Sequence, residues 1–187
     1  MCGRFNLVVP DLEELRRYLP IDDIDVADWR PRYNIASGQP APVLQLVDGE
    51  TARLTLMKWG LIPRYAKEPN ARRPINARVE TLRARPSFRA LVGSRQCIVP
   101  ASGYYEWLPV GRRKQPWLIT PPSGVLAMAA LWDRWISRDG EVIESFAVIT
   151  TDAAPQIASI HDRMPLLIEP SAVRPWLAGG EPPTKKW

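Results

Sequence analysis

The sequence is poor in the residues that staple or metallate small proteins. Cys2 and Cys97 are its only cysteines and His161 its only histidine. That excludes a disulfide framework, and a structural zinc site lacks the Cys/His ligands it needs. Two free thiols point to a reducing cytoplasm as the compartment. No apolar run approaches the roughly 20 residues that span a bilayer, so no membrane association is expected. The first ten residues, MCGRFNLVVP, lack the apolar core of a secretory signal. Neither an internal repeat nor a linker divides the chain, so residues 1–187 read as a single domain.

What is plentiful narrows the class. Twenty prolines and eleven glycines break the chain into many short elements and argue against a helical bundle. Eight tryptophans supply core volume or stacking platforms. Charge is informative by place. The whole chain carries +5, yet Arg72, Arg73, Arg78, Arg83, Arg85, Arg89 and Arg95 are opposed only by Glu80, a local +6. Such a stretch is either a solvated surface or a phosphate-binding face, since guanidinium matches phosphate bidentately.

The order of elements follows from periodicity and turn residues. After an extended N-terminus, Asp11 and Glu14 resemble a capping box. Leu12, Leu15 and Leu19 recur at helical spacing, which predicts a helix over 11–19. Asp48-Gly49 is a hairpin turn between strands 42–47 and 51–59, with Leu54 and Leu56 on one face. A polar loop covers 64–74, and 75–81 runs from a short strand into a helix at 79–84. Ser87 is placed to cap a second helix through Leu91. Further strands are expected at 96–100, 103–108, 115–120, 125–132, 141–151 and 166–168. A short helix falls near 153–159, and a final one is capped by Ser171 and ended by Gly179-Gly180. The sum is an α+β domain with a mostly antiparallel, curled, barrel-like sheet and short flanking helices.

Five residues could carry chemistry. Removal of Met1 would leave Cys2 with an α-amine and a thiol on adjacent carbons, a pair that condenses with aldehydes. Their ordinary pKa values, about 7.7–8.0 and about 8.5, leave part of each nucleophilic near neutrality. Glu106 lies in the strand-like run Gly103-Tyr104-Tyr105-Glu106-Trp107, on the face of Tyr104. It is either water-facing or enclosed, and if enclosed it could exchange protons. His161 is a surface or core residue, or the one imidazole available for acid–base work. Asn76, between Ile75 and Ala77, either serves a turn or fixes an oxygen. Cys97, in an apolar run, reads as a core thiol.

Six segments together resemble the SRAP (SOS response-associated peptidase) family. They are Cys2-Gly3-Arg4-Phe5, Arg32-Tyr33-Asn34-Ile35-Ala36, Trp59-Gly60-Leu61-Ile62-Pro63, Asn76-Ala77-Arg78-Val79-Glu80-Thr81, Gly103-Tyr104-Tyr105-Glu106-Trp107 and Ile160-His161-Asp162-Arg163-Met164-Pro165. The resemblance runs from residue 2 to about 177 and implies covalent trapping of abasic sites in single-stranded DNA by a monomer. In that reading the Cys2 amine attacks C1′ of the ring-opened sugar and its thiol closes a thiazolidine. Glu106 promotes ring opening and Schiff-base formation, His161 is the acid–base partner, and Asn76 orients the sugar or Cys2. Arg4, Arg78 and Arg163 hold flanking phosphates, and Trp107 stacks on or separates bases. No cofactor or metal is implied.

Two departures from the family pattern are a Ser at position 37, where Pro is common, and an end at Trp187, short of a segment many members carry. Two other readings remain: a cysteine peptidase with Cys2 as N-terminal nucleophile, and a non-catalytic, arginine-rich module that binds single-stranded DNA.

Overall fold

A computed structural model describes residues 2–69 and 73–182. In chain order its strands begin with β1 (Arg4–Leu7), β2 (Asp23–Asp25), β3 (Arg32–Ala36), β4 (Pro40–Val47), β5 (Thr51–Trp59) and β6 (Asn76–Arg78). They continue with β7 (Gln96–Ala101), β8 (Gly103–Val110), β9 (Arg113–Ile119), β10 (Leu126–Ile136), β11 (Val142–Asp152) and β12 (Arg163–Pro165).

Most neighbours pair antiparallel, as short hairpin connections require. One sheet has the order β3-β1-β8-β9. The other runs β12-β11-β10-β7-β4-β5-β2. A parallel pairing of β11 with β5, Ser145 opposite Lys58 and Phe146 opposite Trp59, closes β4, β5, β11, β10 and β7 into a ring. This is the curled, barrel-like sheet that the turn-rich sequence implies. β6 lies parallel on β11, with Asn76 opposite Val148.

Parts of β7 and β10 are buried on both faces, so there alternation gives way to continuous buried runs, Cys97–Ala101 and Leu126–Leu131. An aromatic column ties β1 to the barrel. Phe5 meets Trp59 edge-on at 5.1 Å, and Trp59 stacks on Phe146 at 6.2 Å. All three are fully buried, each worth roughly 1.5–3 kcal/mol. Trp59 Nε1–H donates to Ile75 O at 2.9 Å. Residue 5 is therefore fixed in the core, and residue 2 lies only three positions from that anchor.

Several elements differ from expectation, each for a local reason. The 11–19 helix is a tighter 3-10 turn, Leu12–Arg17, in which Asp11 accepts from the Glu13 N–H at 3.0 Å. Three-residue periodicity stacks Leu12 directly on Leu15, and both are buried. The segment after β6 is another such turn, Val79–Thr81. Ser87 does not cap the helix Pro86–Arg89, because Pro86 occupies the first turn and Arg85 the cap. Leu56 is exposed. β5 leaves β2 after Thr55 and meets β11 at Lys58, and its inward residues switch from Ala52 and Leu54 to Met57 and Trp59. The strand expected at 166–168 lies earlier, as β12, where Arg163 pairs with Asp152. Ser171 sits inside a 3-10 turn, Pro170–Ala172, that leads into the helix Val173–Leu177. Part of the 64–74 loop, residues 70–72, lies outside the described residues.

Candidate active site at the N-terminal cysteine

The central strand position of β1 carries Cys2 inside the protein, where it is fully buried. Asn76, at the start of β6, donates from Nδ2 to the Cys2 carbonyl at 2.8 Å. The Cys2 Sγ–H points at Arg4 O, 3.7 Å away. On the other flank, Arg4 pairs with Tyr105 of β8 and Phe5 with Tyr104. Continuing that register by one residue sets Glu106 beside Gly3, next to Cys2. Glu106 is 2% exposed, so the enclosed alternative holds.

Burial, and after it the Glu106 charge, pushes the Cys2 thiol up to about 12. The Tyr104 phenol, also buried, rises for the same reasons, burial first and then Cys2 and Glu106. Three acidic groups thus share one poorly solvated space, and the thiol is neutral at physiological pH. Tyr104 was missed as a site residue, although strand alternation already put it on the Glu106 face.

Glu106 and His161 line one cleft of about 510 Å³, together with Trp107, Pro109 and Lys114. His161 follows the short helix Pro155–Ala158 and donates its backbone N–H to Ile157 O. Its Nδ1 lies 2.9 Å from the Arg163 N–H and 2.8 Å from Asp162 Oδ1. Neutral imidazole accepts from Arg163 at Nδ1 and carries its proton on Nε2.

On the opposite flank, Asn76 lines a second cleft of about 860 Å³ with Tyr65, Arg73 and Arg85. Arg4 donates to Asn34 Oδ1 at 3.0 Å, while Arg78 at the end of β6 is exposed. Trp107 is half-buried beside the Glu106 cleft.

Arg163 departs from the phosphate-holding expectation. Its side chain is 9% exposed, and its guanidinium donates to Glu80 at 2.8 and 3.0 Å, Asp152 at 2.6 Å and Thr150 O at 2.8 Å. It is an internal anchor between β11, β12 and the Val79–Thr81 turn. The arginine stretch does not form a single face either. Arg83 pairs with Glu181, and Arg95 lies 4.2 Å over the Trp132 ring. Arg72 is outside the described residues. Cys97 is buried in β7, its thiol pushed well up by burial. Among the described residues no cluster of three or more His, Cys, Asp or Glu is placed to hold a metal, and no helix is long and apolar enough to cross a membrane.

The family model for SOS response associated peptidase (SRAP) matches residues 1–186. The chain is 35% identical over 182 residues to abasic site processing protein YobE of Bacillus subtilis, covering 95% of this chain and 82% of that one. Identity to abasic site processing protein YedK of Escherichia coli is 33%, over 95% of this chain and 79% of the relative. To abasic site processing protein HMCES of Xenopus tropicalis it is 33%, over 87% of this chain and 58% of that longer one. A crystal structure of a Bacteroides thetaiotaomicron protein superposes with a TM-score of 0.85 at 26% identity, covering 95% of this chain and 82% of that one. A phage-related protein from Bordetella bronchiseptica gives 0.75 at 28% identity, covering 97% and 84%. With one family matched from end to end and relatives at a third identity spanning the same residues, the chain belongs to the SRAP family.

Proposed function

We propose that this protein processes abasic sites in single-stranded DNA by trapping the ring-opened sugar aldehyde on the aminothiol of Cys2, after Met1 is removed. The observation that carries this reading is the fixing of Cys2. Its carbonyl is held by Asn76 and its flank is occupied by a buried carboxylate. The first residues of a chain are usually poorly ordered unless tied down, and here residue 2 is held by a side-chain hydrogen bond from β6. The relatives' names, all abasic site processing proteins, support the same substrate.

The chemistry balances without a cofactor. The Cys2 amine adds to the C1′ aldehyde, giving a carbinolamine that loses water to form an imine. The thiol then adds across the C=N bond, sulfur to C1′ and its proton to nitrogen, closing the thiazolidine. One water is released overall. Burial pushes the Cys2 thiol up and makes it a poor first nucleophile, so the amine leads and the thiol follows. Glu106 moves the protons at Cys2, and His161, across the shared cleft, serves the sugar oxygen. Asn76 restrains residue 2, so the two additions are intramolecular and gain large effective molarity. Arg4 and Arg78 supply phosphate contacts, Trp107 a stacking surface. By shielding the lesion the adduct serves DNA repair.

The test is a heat-stable adduct with an abasic oligonucleotide, lost in Cys2→Ser. A chain that cleaves peptides through Cys2 and forms no adduct would overturn the reading in favour of a peptidase.

A further inference from the structure

We infer that the β8–β9 hairpin is an arm that grips the DNA backbone of the strand leaving the Glu106–His161 cleft. The inference rests on the proposed function and adds a nucleic-acid contact that sequence reasoning did not single out.

The hairpin is built to project. β8 and β9 pair over seven rungs, from Tyr104 opposite Ile119 to Val110 opposite Arg113. The two-residue loop Gly111-Arg112 puts Gly111 at φ 57°, the left-handed geometry that a type II′ turn demands at its first central position. β9 is the outer strand of its sheet, and its first six residues are all exposed. An outer strand this open normally needs protection from edge pairing. Here the protection is positive charge: Arg112, Arg113 and Lys114 are consecutive and exposed, and no carboxylate among the described residues pairs with any of them.

The placement ties this charge to the site. Opposed residues in an antiparallel pair share a face, so Lys114, opposite Pro109, lies on the face of Trp107, opposite Pro116. Lys114 lines the cleft that contains Glu106 and His161. A strand whose lesion sugar reaches Cys2 therefore passes Trp107 and then meets Lys114, with Arg112 and Arg113 beyond. One cation at the mouth of the reaction cleft and two more at the tip of the same hairpin match a polyanion. Phosphates at successive nucleotides give each a partner.

The experiment measures equilibrium binding in the Cys2→Ser background, so that no covalent adduct interferes. The ligand is a single-stranded oligonucleotide carrying a tetrahydrofuran abasic analogue. Salt is varied between about 50 and about 200 mM. Neutralising all three residues (R112A/R113A/K114A) removes up to three phosphate contacts, so the slope of log K against log salt should shrink by about 2. Over that salt range wild type should lose about 20-fold more affinity than the variant. Oligonucleotides with nucleotides on only one side of the lesion should confine the deficit to one flank. Charge reversal (R112E/R113E/K114E) should enlarge it. Circular dichroism verifies that each variant is folded, as expected for an exposed tip. An unchanged slope in folded variants, or equal loss on both flanks, overturns the arm while leaving the crosslinking reading intact. A parent chain that neither binds nor crosslinks the strand overturns both.

Discussion

Replacing Asn76 by Ala removes one hydrogen bond, and its consequences can be worked out closely. The bond joins residues 74 apart in sequence at 2.8 Å and fixes the carbonyl of the residue whose amine and thiol do the chemistry. Deleting the donor leaves a buried acceptor unpaired, at a cost of about 1–3 kcal/mol. If that penalty falls on the reacting geometry, the adduct forms about 5- to 150-fold more slowly. Global stability falls by at most the same amount, about 2–4 °C in Tm per kcal/mol for a chain of this size. The protein therefore remains folded at 25 °C. Asn76→Asp should be worse than Ala, because it sets a carboxylate oxygen against the Cys2 carbonyl. The assay is the first-order rate of heat-stable adduct formation with an abasic oligonucleotide at saturating protein. A folded Asn76→Ala variant that reacts within about twofold of wild type would refute the claim that Asn76 positions Cys2.

Other consequences are sharper in pH or in sterics. At pH 9, Cys2 of the folded chain retaining Met1 should alkylate far more slowly than in urea. Glu106→Gln should narrow the gap by removing a neighbouring charge, while burial keeps the rest. Peptide mass spectrometry separates Cys2 from Cys97, and an unaltered Cys2 rate in Glu106→Gln would place the carboxylate elsewhere. The Arg163 hydrogen bonds hold the Glu80 carboxyl below its usual 4.5. Its folded pKa is depressed, so its stabilisation is full above the unfolded value and is lost as pH falls through the lower folded one. Wild type and Glu80→Gln should differ in urea stability at pH 7 and converge in acid; a constant difference would contradict the anchor. In Gly103→Ala the new Cβ would meet Ile119 O at 2.8 Å and Thr120 Cγ2 at 2.9 Å. Backbone cannot retreat as a side chain can, so a loss of about 1–3 kcal/mol is expected in thermal melts. No loss would mean that the β8–β9 pairing is looser than described.

Strand positions were legible because half-buried strands alternate and turns carry Gly, Pro and Asp. Asp48 and Gly49 both adopt positive φ, 54° and 77°, between β4 and β5 as their identities suggest. The parallel closure of β5 on β11 was not legible, since nothing in either segment names a partner some 90 residues away. Helical spacing was read correctly at Leu12 and Leu15, but a spacing of three cannot separate a 3-10 turn from an α-helix. The site was partly legible. Enclosure of Glu106 was one of two readings that the aromatic run left open. Arg163 shows the limit of charge read from sequence. A motif locates a guanidinium, but only packing reveals that Glu80, Asp152 and Thr150 already occupy it. The basic triplet 112–114 carries no motif of its own; it acquires meaning from the hairpin, which sets Lys114 in the cleft of His161.

The most direct test of the central claim is denaturing electrophoresis of Met1-processed protein with a single-stranded oligonucleotide carrying one abasic site. The intact oligonucleotide, Cys2→Ser and a form retaining Met1 run beside it. The account predicts a heat-stable shifted band only where a free Cys2 terminus meets the abasic strand. A folded, processed protein that leaves the abasic strand unshifted, or shifts it equally with Met1 in place, would contradict it.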